Sequence, residues 1–172
     1  MTRIVAGSAK GRTLAVPKSG TRPTSERVRE ALFSRLDHMN VLDGATVLDL
    51  YAGTGALGLE AMSRGGAHAT LVEKASAAAR VASANVRSTG LPARVVTADA
   101  RTYLGARNGE ALAGDIDLVF IDPPYDIAEE DMTTVLASLG PWIVPDALVV
   151  VERSTRAPAP TWPDFLVLED QR

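Results

Sequence analysis

The sequence predicts an α/β domain, a largely parallel sheet with helices on both faces, preceded by an N-terminal hairpin and helix. Three observations carry this expectation. After residue 44, near-continuous apolar runs alternate with helical stretches, the pattern of strands buried on both faces. The first of those runs ends in a glycine-rich turn, "YAGTGALG", that opens a helix. A chain of 172 residues, 46% hydrophobic and 23% charged, suits one globular domain with a sizeable core.

The elements follow in order. "RIVAG" (3–7) and "TLAVP" (13–17) are short strand candidates joined by "SAKG", which predicts a hairpin. "KSGTRP" is a loop. Thr24 or Ser25 can cap a helix whose apolar positions Val28, Ala31, Leu32 and Leu36 recur at helical spacing, with Arg27 and Glu30 on other faces. Residues 40–44 break the chain, so 1–40 form an extension and 41–172 the main domain. Within the latter, strands are expected at 46–50, 69–73, 93–99, 116–122, 147–153 and 165–170. Helices are expected at 56–64, 75–88, 100–106 and 128–138. His38 and His68 have no partner pattern. Trp142 and Trp162 lie beside Pro141 and Pro163, which predicts loop packing for both.

Composition narrows the function. There is no cysteine, which removes disulfides and thiolate metal sites, and two histidines offer little to a metal; none is expected. "MTRIVAGSAKGR" lacks the apolar stretch of a signal peptide, and no apolar run is long enough to span a bilayer. A cytoplasmic monomer without membrane contact is the expectation. The net charge of −3 is unevenly spread. Residues 1–35 hold eight basic and two acidic side chains; the remainder holds ten basic and nineteen acidic. A basic arm on an acidic body points to a local polyanion contact, with Arg3, Lys10, Arg12, Lys18, Arg22 and Arg27 as its cations.

In parallel sheets ligands sit beyond the carboxyl ends of the strands. Gly53, Gly55 and Gly58 spell G-x-G-x-x-G between a strand and a helix, so Tyr51, Ala52, Gly53, Thr54 and Gly55 form an expected cofactor cradle. Glu73 ends the next strand, with Lys74 after it, and can accept two ribose hydroxyls. Asp49 selects among nucleosides. A carboxylate there would repel a pyrophosphate, which needs the helix N-terminus, but would attract the ammonium and sulfonium of S-adenosylmethionine. Asp99 can accept the adenine amino group and the Ala100 backbone can meet the ring edge; Asp99 also reads as a helix N-cap.

"FIDPPY" places Asp122, Pro123, Pro124 and Tyr125 after the fourth strand, facing the same crevice. An exocyclic amine on a base is a poor nucleophile because its lone pair is delocalised. The Asp122 carboxylate and the Pro123 carbonyl can accept its two N–H groups and draw them out of plane. The prolines lock φ and remove competing donors. Tyr125 can stack on the base, and Asp122 can stabilise the charge arriving with the methyl group. The motif fits amino-group methylation on adenine, cytosine, guanine or a glutamine amide.

"RIVAGSAKGRTLAVP", "TRPTSERVREALFSRL", "VLDLYAGTGALGLEAMSRG", "VEK" and "FIDPPY", taken together, resemble the bacterial small-subunit ribosomal RNA guanine-N2 methyltransferase family, from Arg3 to about Val151. The specific part is R-P-T-x-x-x-V-R-E-A-L-F, here Arg22 to Phe33. The resemblance implies a Rossmann-like S-adenosylmethionine-dependent methyltransferase with an RNA-contacting N-terminal extension. It implies methylation of the N2 amine of one guanine in 16S ribosomal RNA, within a small ribosomal subunit or its assembly intermediate. Asp49, Gly53, Gly55, Glu73 and Asp99 would bind the donor, Asp122 to Tyr125 the guanine, and Arg22 and Thr24 would line the mouth between donor and RNA. Similar proteins continue past the sixth strand with a turn and a final strand; without these, "FLVLED" would be an unprotected edge. Two rivals stand: N-methylation of a DNA base or protein amide by the same core, and a non-enzymatic RNA-binding assembly factor.

Overall fold

The computed structural model describes residues 2–17, 25–106 and 114–172. Strands β1 (Thr2–Arg3) and β2 (Thr13–Leu14) pair antiparallel, and helix α1 (Glu26–His38) follows. The main domain then alternates β3 (Thr46–Asp49), α2 (Ala56–Ser63), β4 (His68–Glu73), α3 (Ser76–Thr89), β5 (Ala93–Thr97), α4 (Ala100–Gly105), β6 (Ile116–Ile121), α5 (Glu129–Ala137) and β7 (Ile143–Val151). The five main strands form one sheet in the order β5-β4-β3-β6-β7, every neighbouring pair parallel. The apolar runs of β3, β4 and β6 are buried on both faces, which is why they lack alternation. One core cluster, including Val47, Leu59, Leu71 and Leu118, fills one side of the sheet. A second, including Leu48, Val72, Val119, Leu136 and Trp142, fills the other.

The chain runs outward from β3 to β5, then crosses back to β6 on the other side of β3. The strand order therefore reverses between β3 and β6. Register pairs Asp49 with Phe120, so Tyr51 and Asp122 leave the sheet level with each other.

The extension is welded to this domain. Ile4, Leu14, Phe33 and Leu36 share a core cluster with Val47, Leu59 and Ala61. Val5 and Ala6 donate their N–H groups to the two carboxylate oxygens of buried Glu60, at 2.9 and 3.1 Å. Ala9 N donates to Ser63 Oγ at 2.9 Å, and Ser63 Oγ donates to the Ala6 carbonyl at 2.6 Å. Asn85 on α3 both donates to and accepts from Ala15. Gly7 adopts φ +88° against α2; a Cβ there would lie 1.9 Å from the Ser63 carbonyl oxygen. Arg29 is 1% exposed and pairs with Glu60 at 3.4 Å; Glu60 also accepts from Arg64 Nε at 2.9 Å. Burying charge in this way requires such partners.

Several sequence expectations need correction. The buried stripe of α1 is Arg29, Phe33 and Leu36, whereas Val28 is 52% exposed. Counting only apolar residues misplaced the stripe because Glu60 makes an arginine acceptable inside. The hairpin strands keep only two residues each, since the hydrogen bonds of Val5, Ala6 and Ala15 go to side chains of α2 and α3. β7 begins earlier than residue 147, directly after a 3-10 turn at Gly140–Trp142. Trp142 is core rather than loop packing: fully buried, donating Nε1–H to the Leu104 carbonyl at 3.0 Å and stacked on Tyr103. Residues 165–170 form no strand. They lie along the surface without a ladder, with Phe165 against Gly140 and Asp170 paired with Arg35 at 2.6 Å; Val167 is 83% exposed. Among the described residues, no helix is long and apolar enough to cross a membrane.

Candidate active site

A cleft of about 1540 Å³ opens at the carboxyl ends of the strands, centred on the reversal between β3 and β6. Single-ligand sites occupy roughly 300–1000 Å³, so this cleft has room for two ligands side by side. Its walls include Tyr51 to Thr54, Glu73, Lys74, Asp99, Ala100 and Asp122 to Tyr125. Predicted residues from four strand ends, all but Asp49 and Gly55, thus meet in one cavity.

The glycine turn shapes one side. Gly53 and Gly55 take φ +55° and +87°, values that would strain any side chain, and Gly55 opens α2 without a side-chain cap. Glu73 braces the turn: Oε1 accepts from Gly53 N at 2.9 Å and Oε2 from Ala75 N at 2.7 Å. Each oxygen keeps a lone pair for a hydroxyl in the cleft. Asp99 caps α4, its Oδ1 accepting from Arg101 N at 3.0 Å and Thr102 N at 3.3 Å. Its Oδ2 lies 3.9 Å from Lys74 Nζ. The cap and the cleft position coexist in one carboxylate. Burial, and next the nearby Asp99 and Asp131 charges, push the Tyr51 phenol up to about 12, so its hydroxyl remains a donor at neutral pH.

Asp49 and Gly55 are absent from the walls. Asp49 lies beneath the turn, 1% exposed, with Oδ2 accepting from Gly58 N at 3.2 Å. Gly58 leaves the room for this, since a Cβ there would lie 2.3 Å from Leu71 Cδ2 and 3.5 Å from Asp49 Oδ2. The other oxygen, Oδ1, is buried without a hydrogen-bond partner among the described residues. Burial raises the Asp49 carboxyl to about 7; the Gly58 N–H opposes this, and the Asp122 and Glu73 charges add to it. A buried carboxylate with an idle oxygen next to two further acids is a place where a cation would be welcome.

Across from the turn, β6 ends and the chain enters D-P-P-Y. Asp122 and Pro123 are half-buried, and Tyr125 is 59% exposed. The Pro124 carbonyl is taken by Ile127 N at 3.2 Å. Among the described residues, no backbone donor reaches the Pro123 carbonyl.

The basic arm divides. Arg3, Lys10 and Arg27 share a smaller groove of about 400 Å³ beside the hairpin. Arg3 is paired there with Glu26 at 3.2 Å, and Arg12 instead donates to the Ser88 carbonyl at the end of α3. Lys18, Arg22 and Thr24 lie outside the described residues. Thr2 and Val16 bring the hairpin to the edge of the main cleft, and Arg29 touches its lining. Arg101, Asp131 and the segment from Glu152 to Ala157 also line it, and the sequence reading did not select them. The rule of strand ends would have reached 152–157 had it been applied to the fifth strand as to the other four.

Known proteins similar to this chain are as follows. The family described as Conserved hypothetical protein 95 matches residues 2–172. Ribosomal RNA small subunit methyltransferase D of Escherichia coli K12 is 39% identical over 163 residues, spanning 94% of this chain and 79% of that protein. The Haemophilus influenzae protein of the same name is 31% identical over 173 residues, spanning 98% and 87%. The solved structure of a hypothetical protein from Thermus thermophilus superposes with a TM-score of 0.81 at 35% identity, covering 93% of this chain and 90% of that one.

Proposed function

The chain belongs to the Conserved hypothetical protein 95 family, and from that premise we propose that it transfers a methyl group from S-adenosylmethionine to the exocyclic N2 amine of a guanine in 16S ribosomal RNA. The relatives named for methylating small-subunit ribosomal RNA support the substrate class. The observation that carries the reading is one cleft, large enough for two ligands, with the glycine turn on one side and Asp122 to Tyr125 on the other.

The residues suit the donor. Glu73 offers acceptors to ribose hydroxyls, Asp99 and Ala100 border the place for adenine, and Ala52 to Thr54 lie under the amino-acid portion. Asp49, titrating at about 7 and with Oδ1 short of a partner among the described residues, is drawn to its ionised form by a cation above it. When bound, the donor supplies an electrophilic methyl on a positively charged sulfur.

The protein's own contribution is orientation and electrostatics. Asp122 and the Pro123 carbonyl accept the two N–H groups of the guanine amine, turning its lone pair toward the methyl. Tyr125, exposed at the rim, stacks on the base for about 1–3 kcal/mol. A guanine within a helix must first leave its stack, which costs a few kcal/mol. As the new nitrogen–carbon bond forms, the methyl–sulfur bond would break and neutral S-adenosylhomocysteine would leave; Asp122 stabilises the positive charge as it reaches nitrogen, and the surplus amine proton then passes to Asp122 or to water. Alignment of the reacting atoms contributes most of the acceleration.

The test is direct. Purified protein with a labelled donor is offered small ribosomal subunits, naked small-subunit RNA, duplex DNA and protein, and the labelled product is digested and identified. N2-methylguanosine from ribosomal RNA is the expected outcome. Label in a DNA base or a glutamine would move the protein to another substrate class. No transfer, with no donor binding, would leave only an RNA-binding protein.

A further inference from the structure

We propose that the turn after β7, centred on Arg156, is a second RNA-contact element that grips a backbone phosphate beside the target guanine. The inference rests on the function proposed above and adds a contact remote in sequence from the basic arm. β7 pairs with β6 through Ile121, and Glu152 N donates to the Ile121 carbonyl at 2.9 Å. The chain therefore leaves the sheet immediately beside Asp122, and residues 152–157 form the flank of the D-P-P-Y side of the cleft.

The charges on that flank are unequal. Among the described residues lining the cleft, Arg29 is paired with Glu60, Lys74 and Arg101 with Asp99, and Arg153 with Glu129. Arg156 is exposed and, among the described residues, has no carboxylate within ion-pair distance. Its backbone is nonetheless held: Arg156 N donates to Ser154 Oγ at 3.2 Å, and Ala157 N to the Ser154 carbonyl at 3.0 Å. A fixed turn thus presents an unneutralised guanidinium next to a cavity that also carries Asp122, Asp126 and Glu152, whereas Asp131 is already paired with Arg101 at 2.8 Å.

A nucleic-acid strand reaching Asp122 must bring its phosphates past these acids. Repulsion there would push the base out of the cleft unless a cation offsets it. Guanidinium binds phosphate through parallel N–H bonds, and it releases a condensed counterion when it does so. Arg153 is less suited, being 12% exposed at its side chain and tied to the first residue of α5. Its pairing instead holds the loop 122–128 between β6 and α5, which steadies the wall from which Arg156 projects.

The experiment compares the wild type with Arg156→Ala, Arg156→Glu and Arg156→Lys in binding to unmodified small-subunit ribosomal RNA across a salt series, with calorimetric binding of S-adenosylhomocysteine in parallel. The salt slope should fall by about 0.7–0.9 for Arg156→Ala and by more for Arg156→Glu. Affinity for RNA should fall about 3- to 10-fold for Arg156→Ala, and Arg156→Lys should regain most of it. Affinity for S-adenosylhomocysteine and the melting temperature should be unaltered, as the side chain is exposed. An unchanged salt slope in both Arg156→Ala and Arg156→Glu overturns the inference alone. So does an equal loss of S-adenosylhomocysteine affinity, which would make the turn a wall of the donor site. Failure of the wild type to bind this RNA would instead overturn the parent function together with the inference.

Discussion

Consider Asp49→Asn, followed from about pH 5 to about pH 8 for both stability and donor affinity. Asp49 ends β3 beneath the glycine turn, buried, with one oxygen engaged by Gly58 N and the other idle. Its carboxyl rises from 3.8 to about 7, chiefly through burial. In the unfolded chain it titrates near 3.8. A folded pKa above the unfolded one means that the fold holds this proton more tightly. The contribution to stability is therefore greatest below the unfolded value and is lost as pH rises through about 7. About three pKa units at ~1.4 kcal/mol each give a cost on the order of 4 kcal/mol at pH 8. Asparagine keeps an oxygen for Gly58 N and carries no charge. Urea unfolding should thus show Asp49→Asn gaining on the wild type by roughly 1.4 kcal/mol per pH unit from about pH 5 to about pH 7, then levelling.

Donor binding should run the other way. A cation over Asp49 favours its ionised form, so binding near pH 6.5 should expel roughly three quarters of a proton in the wild type and none in Asp49→Asn. Calorimetry in two buffers of different ionisation heat measures this number. The variant should be the more stable protein and the weaker binder. A stability difference that does not vary with pH, or donor binding without proton release in the wild type, would refute the reasoning.

Four further outcomes are expected. Asp122→Ala should slow methyl transfer by ~10²-fold or more while donor affinity stays within a few-fold, because its work is done as charge reaches nitrogen; single-turnover rates and donor titration separate the two, and undiminished turnover would exclude that role. Glu60→Ala strands Arg29 in the interior and should cost about 3–5 kcal/mol in chemical unfolding, with Glu60→Gln plus Arg29→Met less damaging than Glu60→Ala alone. Gly7→Ala introduces a Cβ into the Ser63 carbonyl at a positive φ and should loosen the hairpin from α2, visible as proteolytic cleavage near Lys10 at concentrations that leave the wild type intact. Replacing Arg12, Lys18 and Arg22 together by Ala should weaken RNA binding and flatten its salt dependence; an unaltered slope would remove the arm from the phosphate contact.

Much of the fold was legible because the main strands announce themselves. β3, β4 and β6 are apolar runs bounded by polar turns, and Gly53 to Gly58 and Glu73 mark the ends of two of them. Strand-end logic points to residues 51–54, 73–74, 99–100 and 122–125, all of which line the cleft, but it passes over Arg101, Asp131 and the 152–157 segment. What stayed hidden depends on distant partners. Arg29 looks like a surface residue until Glu60, 31 positions on, is folded against it. Asp49 looks like a cleft residue, yet the pleat and Gly58 place it underneath. "FLVLED" has the composition of a strand, but strands exist only where a neighbour completes their hydrogen bonds, and among the described residues the segment has none. Trp142 sits beside Pro141 as a loop residue would; its burial follows from Tyr103 and Leu104, which the sequence does not connect to it.

Helix α2 has only eight residues, and both specialised parts of the molecule hang from it. The glycine turn forms its first end, while Glu60 and Ser63 along its flank clamp the hairpin. The two therefore share one short lever, and their separation is set by covalent geometry. A graft that moves the hairpin of one relative onto another should succeed only when residues 53–64 travel with it. Transplanted alone, it would meet the wrong acceptor and leave its amides without a harbour. Chimeras cut at either boundary of this helix would reveal the smallest interchangeable module.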